Sequence, residues 1–265
     1  MTGWMQARAP AAVGMALALG AVASAASLTA CGSSDPAPTR CAATAPGESP
    51  AVLDLEQTQN AATIAVVGKR LGLADHAVSV ALATALQESK LRNLHYGDRD
   101  SVGLFQQRPS QGWGPPARIL VPRLAAAAFY ARLRTVRAWQ TLPVADAAQA
   151  VQHSASAAAY AQWETEARLL ARTLTGEVAA GLSCSGLPKA GPLQDPALMS
   201  AAADELGAGR LHPSEAAQVW ASAGWLVAHA DAFGVSTVTA AGQRWTRAAG
   251  RWQSDQAAAS GVHYS

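Results

Sequence analysis

The sequence predicts a mainly α-helical protein with a small α+β unit at its C-terminal end, and three observations support this fold class. Of the 265 residues, 50% are hydrophobic but only 6% are aromatic, so the apolar content is chiefly alanine, valine and leucine, which favours helices. Residues 51–182 carry apolar side chains at helical spacing and show no alternating strand pattern. Short strand-like segments around a turn near Gly242 follow only later in the chain.

The chain begins with a segment of the kind found in export signals. Residues 9–30 carry no charge and follow a single Arg8. The segment ends in Leu28-Thr29-Ala30-Cys31, which resembles the lipobox of bacterial lipoproteins, in which the cysteine is lipidated and becomes the new N-terminus. We therefore expect residues 1–30 to be a signal peptide and a lipid on Cys31 to anchor the protein to the outer face of the cell membrane. The alternative is an ordinary secretory signal with an incidental cysteine, which makes the protein secreted.

A tether and a helical domain are predicted next. Residues 31–50 are rich in Ser, Pro, Gly and Ala and have no apolar period, which predicts a flexible tether. A helical domain follows over residues 51–184. Its predicted helices, with Gly72 as a stop signal, are 53–72, 74–91, 117–136, 144–153 and 157–175. The second helix carries no charge between His76 and Glu88, so it is predicted to lie in the middle of the bundle.

A second, smaller unit is predicted beyond a proline-rich linker at residues 185–213. We interpret residues 214–265 as an accessory α+β unit, with a helix at 214–233 and strand-like segments at 235–238, 243–245 and 262–264. Its tryptophans are expected in its core or on an exposed aromatic face: Trp220, Trp225, Trp245 and Trp252.

The cysteine count fits an exported protein. If Cys31 carries a lipid, Cys41 and Cys184 remain as an even set in an oxidising compartment, which predicts a disulfide. A disulfide that closes so long a loop contributes about 4 to 5 kcal/mol in the chain-entropy model. The alternative is a pair of free thiols.

Charge, hydropathy and motif content exclude several function classes. With 20 Lys+Arg against 18 Asp+Glu and no basic run, nucleic acid is not an expected partner. No later segment has about 18 consecutive apolar residues, which excludes a multi-span transporter. The histidines lack zinc-ligand spacing and the chain has no Gly-rich phosphate loop, so we expect neither a metal nor a cofactor. A chance divalent-cation site at His95, Asp98 and Asp100 is the weak alternative.

Glu88 is the first candidate for chemistry because it ends the uncharged helical run. Helical spacing places it on the same face as Ala81, Thr84 and Ala85. A carboxyl group among small side chains at a cleft is favoured to stay protonated near neutrality, which a general acid requires. Spacing alone also fits a solvated charge at a helix end.

Two motifs around this residue resemble the signature of lytic transglycosylases and goose-type lysozymes. They are Ala85–Asn93, which holds the pair Glu88-Ser89, and Ser101–Gln107, which holds Gly103-Leu104-Phe105-Gln106. In that family a Glu-Ser pair at the end of a buried helix is followed by a Gly-Leu-Met/Phe-Gln turn. The resemblance covers residues 52–178 and also includes Leu73–Ala77, similar to the start of the catalytic helix, and Gln149–Tyr160, similar in position to a later helix near the sugar.

The resemblance implies a lysozyme-like domain that cleaves peptidoglycan strands at the β-1,4 bond between N-acetylmuramic acid and N-acetylglucosamine. Glu88 would protonate the glycosidic oxygen, and Ser89 would orient that carboxyl or the substrate. The remaining residues that it implies in substrate binding are Gly103, Leu104, Phe105 and Gln106 in the cleft floor, with Tyr160 as a match in the second half of the site. The chain departs from the family there, since it has Val151-Gln152-His153-Ser154 instead of a Tyr-Asn-Ala-Gly element.

The loop over residues 93–116 is too long for a simple connection and is a candidate functional loop. Its stretch Gln107–Gly114 contains Trp113, which is suited to stacking on a sugar ring, and Arg108, which is suited to meeting a carboxylate of the stem peptide. We count both of them, and Gln107, among the expected substrate-binding residues. The alternative is a loop fixed by one buried tryptophan.

The mechanism depends on a second carboxylate. Lytic transglycosylases use one Glu as acid and then base, whereas a hydrolase must activate a water and commonly uses another carboxylate for it. Asp98 and Asp100 are the candidates, although loop fixation through backbone or Arg hydrogen bonds is the favoured interpretation of both. We therefore expect the non-hydrolytic reaction.

Two other functions remain as alternatives. The missing Tyr-Asn element suits a cell-wall-binding lipoprotein that keeps the lysozyme-like fold without turnover, whereas a solute-binding lipoprotein fits the signal but not the helical domain. Residues 214–265 are faintly similar to small C-terminal modules of secreted actinobacterial and fungal cell-wall proteins. That similarity fits wall binding through tryptophans or a purely structural role.

Overall fold

The structure is a computed structural model that describes residues 38–153, 158–211, 213, 215–257 and 261–265. The described residues belong to one compact unit. The predicted signal peptide and Cys31 lie outside the described residues.

Helix predominates, with 47% of the structure helical and 12% in strands that form two small antiparallel sheets. The sequence predicted this predominance of helix, but the helical region also contains strands that it did not predict. In chain order the elements are β1 Arg40–Ala43, β2 Ala51–Leu53, α1 Leu55–Arg70, α2 Asp75–Ser89, α3 Pro116–Ile119, α4 Pro122–Leu133, α5 Val144–Gln152, α6 Ala158–Ala161, α7 Glu164–Leu174, β3 Leu182–Ser185, α8 Asp195–Glu205, α9 Ala216–Ala228, α10 Ala230–Phe233, β4 Thr237–Ala240, β5 Gln243–Thr246, β6 Trp252–Ser254 and β7 Val262–Tyr264.

The ends of the first two helices follow local chemistry. Asp54 and Gln57 form a reciprocal capping box at the start of α1, and Gly72, with a φ of 72°, follows its end. Helix α2 ends where Lys90 and Leu91 both take left-handed backbone conformations, with φ of 56° and 61°. Both predicted helices therefore lie within a few residues of the observed ones.

The predicted helix over residues 117–136 is divided into α3 and α4. Pro122 occupies the first turn of α4, where its missing N–H costs no hydrogen bond, and it disfavours helical backbone at Val121. The predicted helix over 157–175 is likewise divided into α6 and α7.

A three-stranded antiparallel sheet in the order β2-β1-β3 corrects two expectations from the sequence. Residues 40–43 form a strand where a flexible tether was predicted, and residues 51–53 form one inside the region predicted to be all-α. Cys41 lies opposite Cys184 in the register of β1 and β3 and forms a disulfide with it. These strands have only three or four residues, and β1 and β3 come from opposite ends of the helical domain, so local periodicity cannot reveal the sheet.

The C-terminal elements form a four-stranded antiparallel sheet in the order β6-β5-β4-β7. The predicted turn near Gly242 joins β4 to β5, with positive φ at Ala241 and Gly242, as a tight hairpin turn requires. Strand β6 was not predicted. Of the four tryptophans expected in a core or on an exposed aromatic face, Trp225 and Trp245 are buried in the core. Trp220 and Trp252 are half-buried and pack against it.

The C-terminal elements pack directly on the helices. Helix α9 contacts α1, α7 and β3, and the indole of Trp252 donates a hydrogen bond to the carbonyl of Leu182 (2.8 Å). Glu205 in α8 accepts from the indole of Trp225 (2.8 Å) and from the hydroxyl of Thr63 in α1 (2.9 Å). Helix α8 itself lies in the region predicted as a linker.

None of the helices in the part of the chain that the structure describes has the length and apolarity required to cross a bilayer.

The contact between α7 and α9 gives a sharp test of this packing. Gly176 follows α7 with a φ of 84°, and a Cβ there would lie 1.8 Å from the carbonyl oxygen of Ala217 in α9. Gly72 has the same position after α1 and a similar φ of 72°, but a Cβ there meets no atom within 4 Å. We expect Gly72→Ala to lower the free energy of unfolding by about 1 kcal/mol, from backbone strain alone, and Gly176→Ala to lower it by about 3 kcal/mol, since overpacking adds to the strain.

Urea denaturation of the two variants measures the difference. Equal destabilisation by both would contradict the observed contact between α7 and α9.

Candidate active site

Helix α2 brings Glu88 to the surface at its last turn. The helix is enclosed by α1, α4, α5, α6 and α7, and Ala81, Thr84 and Ala85 on the Glu88 face are fully buried. Glu88 itself is half-buried. The apolar, uncharged stretch before it therefore fixes the position of this carboxyl group relative to five surrounding helices.

Ser89 links the end of α2 to the loop that follows. Its hydroxyl is buried and lies 2.8 Å from the carbonyl of Leu104 and 3.1 Å from that of Ala85. The sequence predicted that Ser89 orients the carboxyl of Glu88 or the substrate. Its hydroxyl joins the helix to the loop, and the predicted role in orienting the carboxyl or the substrate stays a prediction.

The turn over residues 102–107 is a support beneath the site. Val102 and Gln107 exchange backbone hydrogen bonds of 3.1 and 3.0 Å, and Gly103 has a φ of 78° in close contact with Ile119. Leu104 and Phe105 are fully buried. The sequence predicted that these two residues shape the floor of the cleft and present backbone groups to the glycan, and that contact stays a prediction.

Gln107 and Phe105 are held by other core elements. The side-chain amide of Gln107 is buried and donates to the carbonyl of Ala125 in α4 (3.1 Å), and the ring of Phe105 stacks on Phe129, with 4.7 Å between centroids. Gln152 at the end of α5 donates to the carbonyl of Phe105 (2.7 Å). This contact ties Gln107 to α4, and its predicted contact with the substrate stays a prediction.

Tyr160 approaches Glu88 from α6. Its hydroxyl donates a hydrogen bond to Oε1 of Glu88 (2.7 Å), and only 1% of the residue is exposed. The structure therefore places the tyrosine beside the carboxyl group, 72 residues along the chain from it.

The residue before Glu88 is also held in place. The side-chain oxygen of Gln87 accepts hydrogen bonds from the indole of Trp163 (2.8 Å) and from the amide of Gln162 (3.2 Å). The ammonium group of Lys90 lies over the ring of Trp163, 4.1 Å from its centroid. Burial raises the pKa of the neighbouring Glu166, and the charge of Lys90 opposes that rise.

An open cleft of about 640 Å³ lies in front of Glu88. It brings together five side chains that the sequence singled out: Glu88, Asp98, Gln106, Arg108 and Trp113. It also contains Gln152 and His153, from the stretch in which the chain departs from the family, and two arginines for which the sequence had no signal, Arg99 and Arg132. Arg132 comes from α4, and neither a motif nor a spacing rule connects it to Glu88.

Asp100 fixes the loop rather than facing a substrate. Its two carboxylate oxygens accept from Nε of Arg108 (2.7 Å), from the backbone N–H of Ser110 (2.8 Å) and from the hydroxyl of Ser110 (3.0 Å). The hydrogen bonds from Ser110 and Arg108 hold the pKa of Asp100 well below its usual range. Asp98, by contrast, lies at the cleft with its side chain 90% exposed and 3.9 Å from the guanidinium of Arg99.

Arg108 and Trp113 line the cleft, and each has a defined partner within the protein. Their predicted contacts with the substrate stay predictions. The guanidinium of Arg108 is bound to Asp100 and lies 3.3 Å from the hydroxyl of Ser110. The ring of Trp113 is half-buried and is covered by the guanidinium of Arg132, 4.4 Å from its centroid. Residues 38–153 and the later described segments contain no group of three His, Cys, Asp or Glu side chains close enough to hold a metal ion.

Comparison of the sequence with protein-family models and with curated proteins finds no match.

The loop contacts of Asp100 lead to a pH-dependent prediction. Asp100→Ala removes the acceptors of Ser110 and Arg108, so we expect faster amide hydrogen exchange at Ser110 in this variant. In the unchanged protein, the hydrogen bond to Asp100 protects the N–H of Ser110 from exchange. This protection is complete above about pH 4, the ordinary pKa of Asp, and declines as the pH falls towards the lowered pKa of Asp100 in the folded protein.

Asp98→Ala is the matched control, since that carboxylate is exposed and accepts no hydrogen bond from Ser110. Equal exchange rates at Ser110 in the two variants would show that Asp100 does not fix the loop.

Proposed function

We propose that this protein cleaves peptidoglycan glycan strands at the β-1,4 bond between N-acetylmuramic acid and N-acetylglucosamine, with Glu88 as the acid and base. The observation that carries the proposal is the half-buried carboxyl of Glu88, which lies in an open cleft and is bonded to the hydroxyl of Tyr160 (2.7 Å). The Glu-Ser and Gly-Leu-Phe-Gln motifs, which lie together at this cleft, support it.

In the proposed reaction, protonated Glu88 donates its proton to the glycosidic oxygen as the bond to C1 of the muramyl residue breaks. The carboxylate then accepts the proton of the muramyl 6-hydroxyl as that oxygen bonds to C1. The product is a 1,6-anhydromuramyl end, and no water is consumed. Glu88 returns to its protonated form.

The positions of the two aspartates favour this non-hydrolytic reaction over hydrolysis. The carboxylate of Asp100 is already bound to Arg108 and Ser110, and that of Asp98 is exposed at the cleft. A hydrolase commonly holds a second carboxylate against the attacking water. One carboxyl group that acts twice is the simpler account of this cleft.

Tyr160 is proposed as the residue that positions Glu88. A hydrogen bond from its hydroxyl stabilises the carboxylate form of Glu88, which exists after the proton has moved to the leaving oxygen. Because Tyr160 is almost fully buried, its ring also fixes the direction of the carboxyl group.

We also propose a domain organisation and a cellular location for this protein. We place the lysozyme-like domain at residues 51–184 and an accessory unit at 214–265, with a lipid on Cys31 holding the protein at the outer face of the cell membrane. The disulfide between Cys41 and Cys184 is a bond of oxidising compartments and supports a location outside the cytoplasm.

A second candidate function is binding to the cell wall without turnover. It is favoured by Gln152, which occupies the region where the related family has a Tyr-Asn element and whose amide is engaged by the carbonyl of Phe105. This function predicts retention on insoluble peptidoglycan with no release of soluble fragments.

Glu88→Gln tests the proposed catalytic residue. We expect the release of soluble fragments from purified peptidoglycan to fall at least about 100-fold, since the amide cannot transfer a proton. The melting temperature should stay close to that of the unchanged protein, because the amide keeps an acceptor for Tyr160.

Glu164→Gln is the matched control, since this carboxylate pairs with Arg168 on α7 and does not line the cleft. Equal rates in Glu88→Gln and Glu164→Gln would rule out Glu88 as the acid.

Tyr160→Phe tests the positioning role. We expect the rate to fall about tenfold, which corresponds to the loss of one hydrogen bond of about 1.4 kcal/mol to a charged group. The loss should appear in kcat while KM stays unchanged, because Tyr160 contacts the carboxyl of Glu88 and does not line the cleft. A raised KM with an unchanged kcat would contradict the positioning role.

A further inference from the structure

The cleft contains an arginine that forms an ion pair with no carboxylate of the described residues. Arg132, in the last turn of α4, is half-buried, and its guanidinium lies 4.4 Å from the centroid of the Trp113 ring. Across the described ranges it forms no ion pair with a carboxylate. Arg108 differs in this respect, because its charge is offset by Asp100 at 2.7 Å.

Trp113 and Arg132 lie between two depressions of the surface. On one side is the cleft that contains Glu88, and on the other is a second open depression of about 560 Å³, lined in part by Gly114, Arg118 and Thr135. Trp113 and Arg132 line both depressions. A chain in the cleft that carries a branch can therefore extend that branch past Arg132 into the second depression.

The charged residues around Trp113 and Arg132 indicate which chemical group of a branch can bind there. Arg99, Arg108 and Arg132 line the cleft with Glu88 and Asp98, and Arg118 lines the second depression. Because Asp100 neutralises Arg108, the side of the cleft next to α4 keeps the positive charge of Arg132. A guanidinium presents its N–H donors in a planar fork that matches a carboxylate, and its stacking on Trp113 holds that fork in a fixed plane.

We propose that Arg132 binds a carboxylate of a peptide branch on the glycan, so that the cleft prefers peptide-bearing strands to bare ones. The identity of the glycan rests on the proposed function. The sequence had assigned this contact to Arg108, whose guanidinium is engaged within the loop. Arg132 takes its place because it is the cation that Trp113 orients and no carboxylate of the described chain neutralises.

The test uses binding, so that it does not depend on turnover. Glu88→Gln provides the non-cleaving background, and the probe is a peptidoglycan tetrasaccharide that carries its stem peptides. Two further probes are the same tetrasaccharide with every peptide carboxylate amidated and a peptide-free tetrasaccharide, which keeps the carboxylate of its lactyl groups. Calorimetry supplies the Kd for each probe.

We expect Arg132→Gln to weaken binding of the peptide-bearing probe about tenfold or more, as the loss of hydrogen bonds to a charged group predicts, and to leave the other two probes unchanged. Arg132→Lys should give an intermediate Kd, since it keeps the charge but loses the planar fork. Arg134→Gln, two residues away and exposed, is the matched control and should bind as the background does.

Three results would overturn the proposal. They are an unchanged Kd in Arg132→Gln, an equal loss for the amidated probe, which would indicate disturbed stacking on Trp113, and an equal loss for the peptide-free probe, which would assign the contact to the lactyl carboxylate.

Parallel assays of the unmutated protein separate this inference from the proposed function. Binding that depends on Arg132, without release of fragments by the unmutated protein, would refute the cleavage but not the carboxylate contact. Cleavage that depends on Glu88, with affinities indifferent to Arg132, would refute the contact alone.

Discussion

Helix α2 packs against five other helices, and this enclosure sets the position of every other feature of the site. A helix with no charge from His76 to Glu88 can be buried on nearly all sides, and eleven of its residues are buried. It ends at Ser89, where two left-handed residues, Lys90 and Leu91, turn the chain away. The carboxyl of Glu88 emerges at that end, on a rigid element rather than on a loop.

Side chains from separate elements converge on this helix end. The hydroxyl of Ser89 binds the turn at Leu104, Gln152 binds the same turn at Phe105, and Tyr160 binds Glu88 itself. Each bond joins elements that are distant in sequence, so the geometry of the cleft depends on several contacts at once. In this account the helix supplies the position of the acid, and the surrounding polar contacts supply its orientation.

The sequence was most informative where the signal was long and periodic. It predicted helices close to α1, α2 and α5 and the hairpin of β4 and β5, but not the short strands β1, β2 and β3, of which β1 and β3 pair across the whole helical domain. It identified the turn at residues 102–107 as part of the cleft floor yet not the hydrogen bonds that hold it, because a motif does not show which atoms its residues contact. No sequence pattern indicates Arg132, because only the folded chain brings α4 to the cleft.

Mass spectrometry of the soluble products from purified peptidoglycan tests the central claim, that one carboxyl group in this cleft acts as both acid and base. The experiment uses residues 32–265, because this fragment keeps Cys41 and therefore its disulfide with Cys184. We expect fragments that end in 1,6-anhydromuramic acid. Reducing ends that carry one added water would contradict it and would assign a catalytic role to a second carboxylate, with Asp98 as the first candidate.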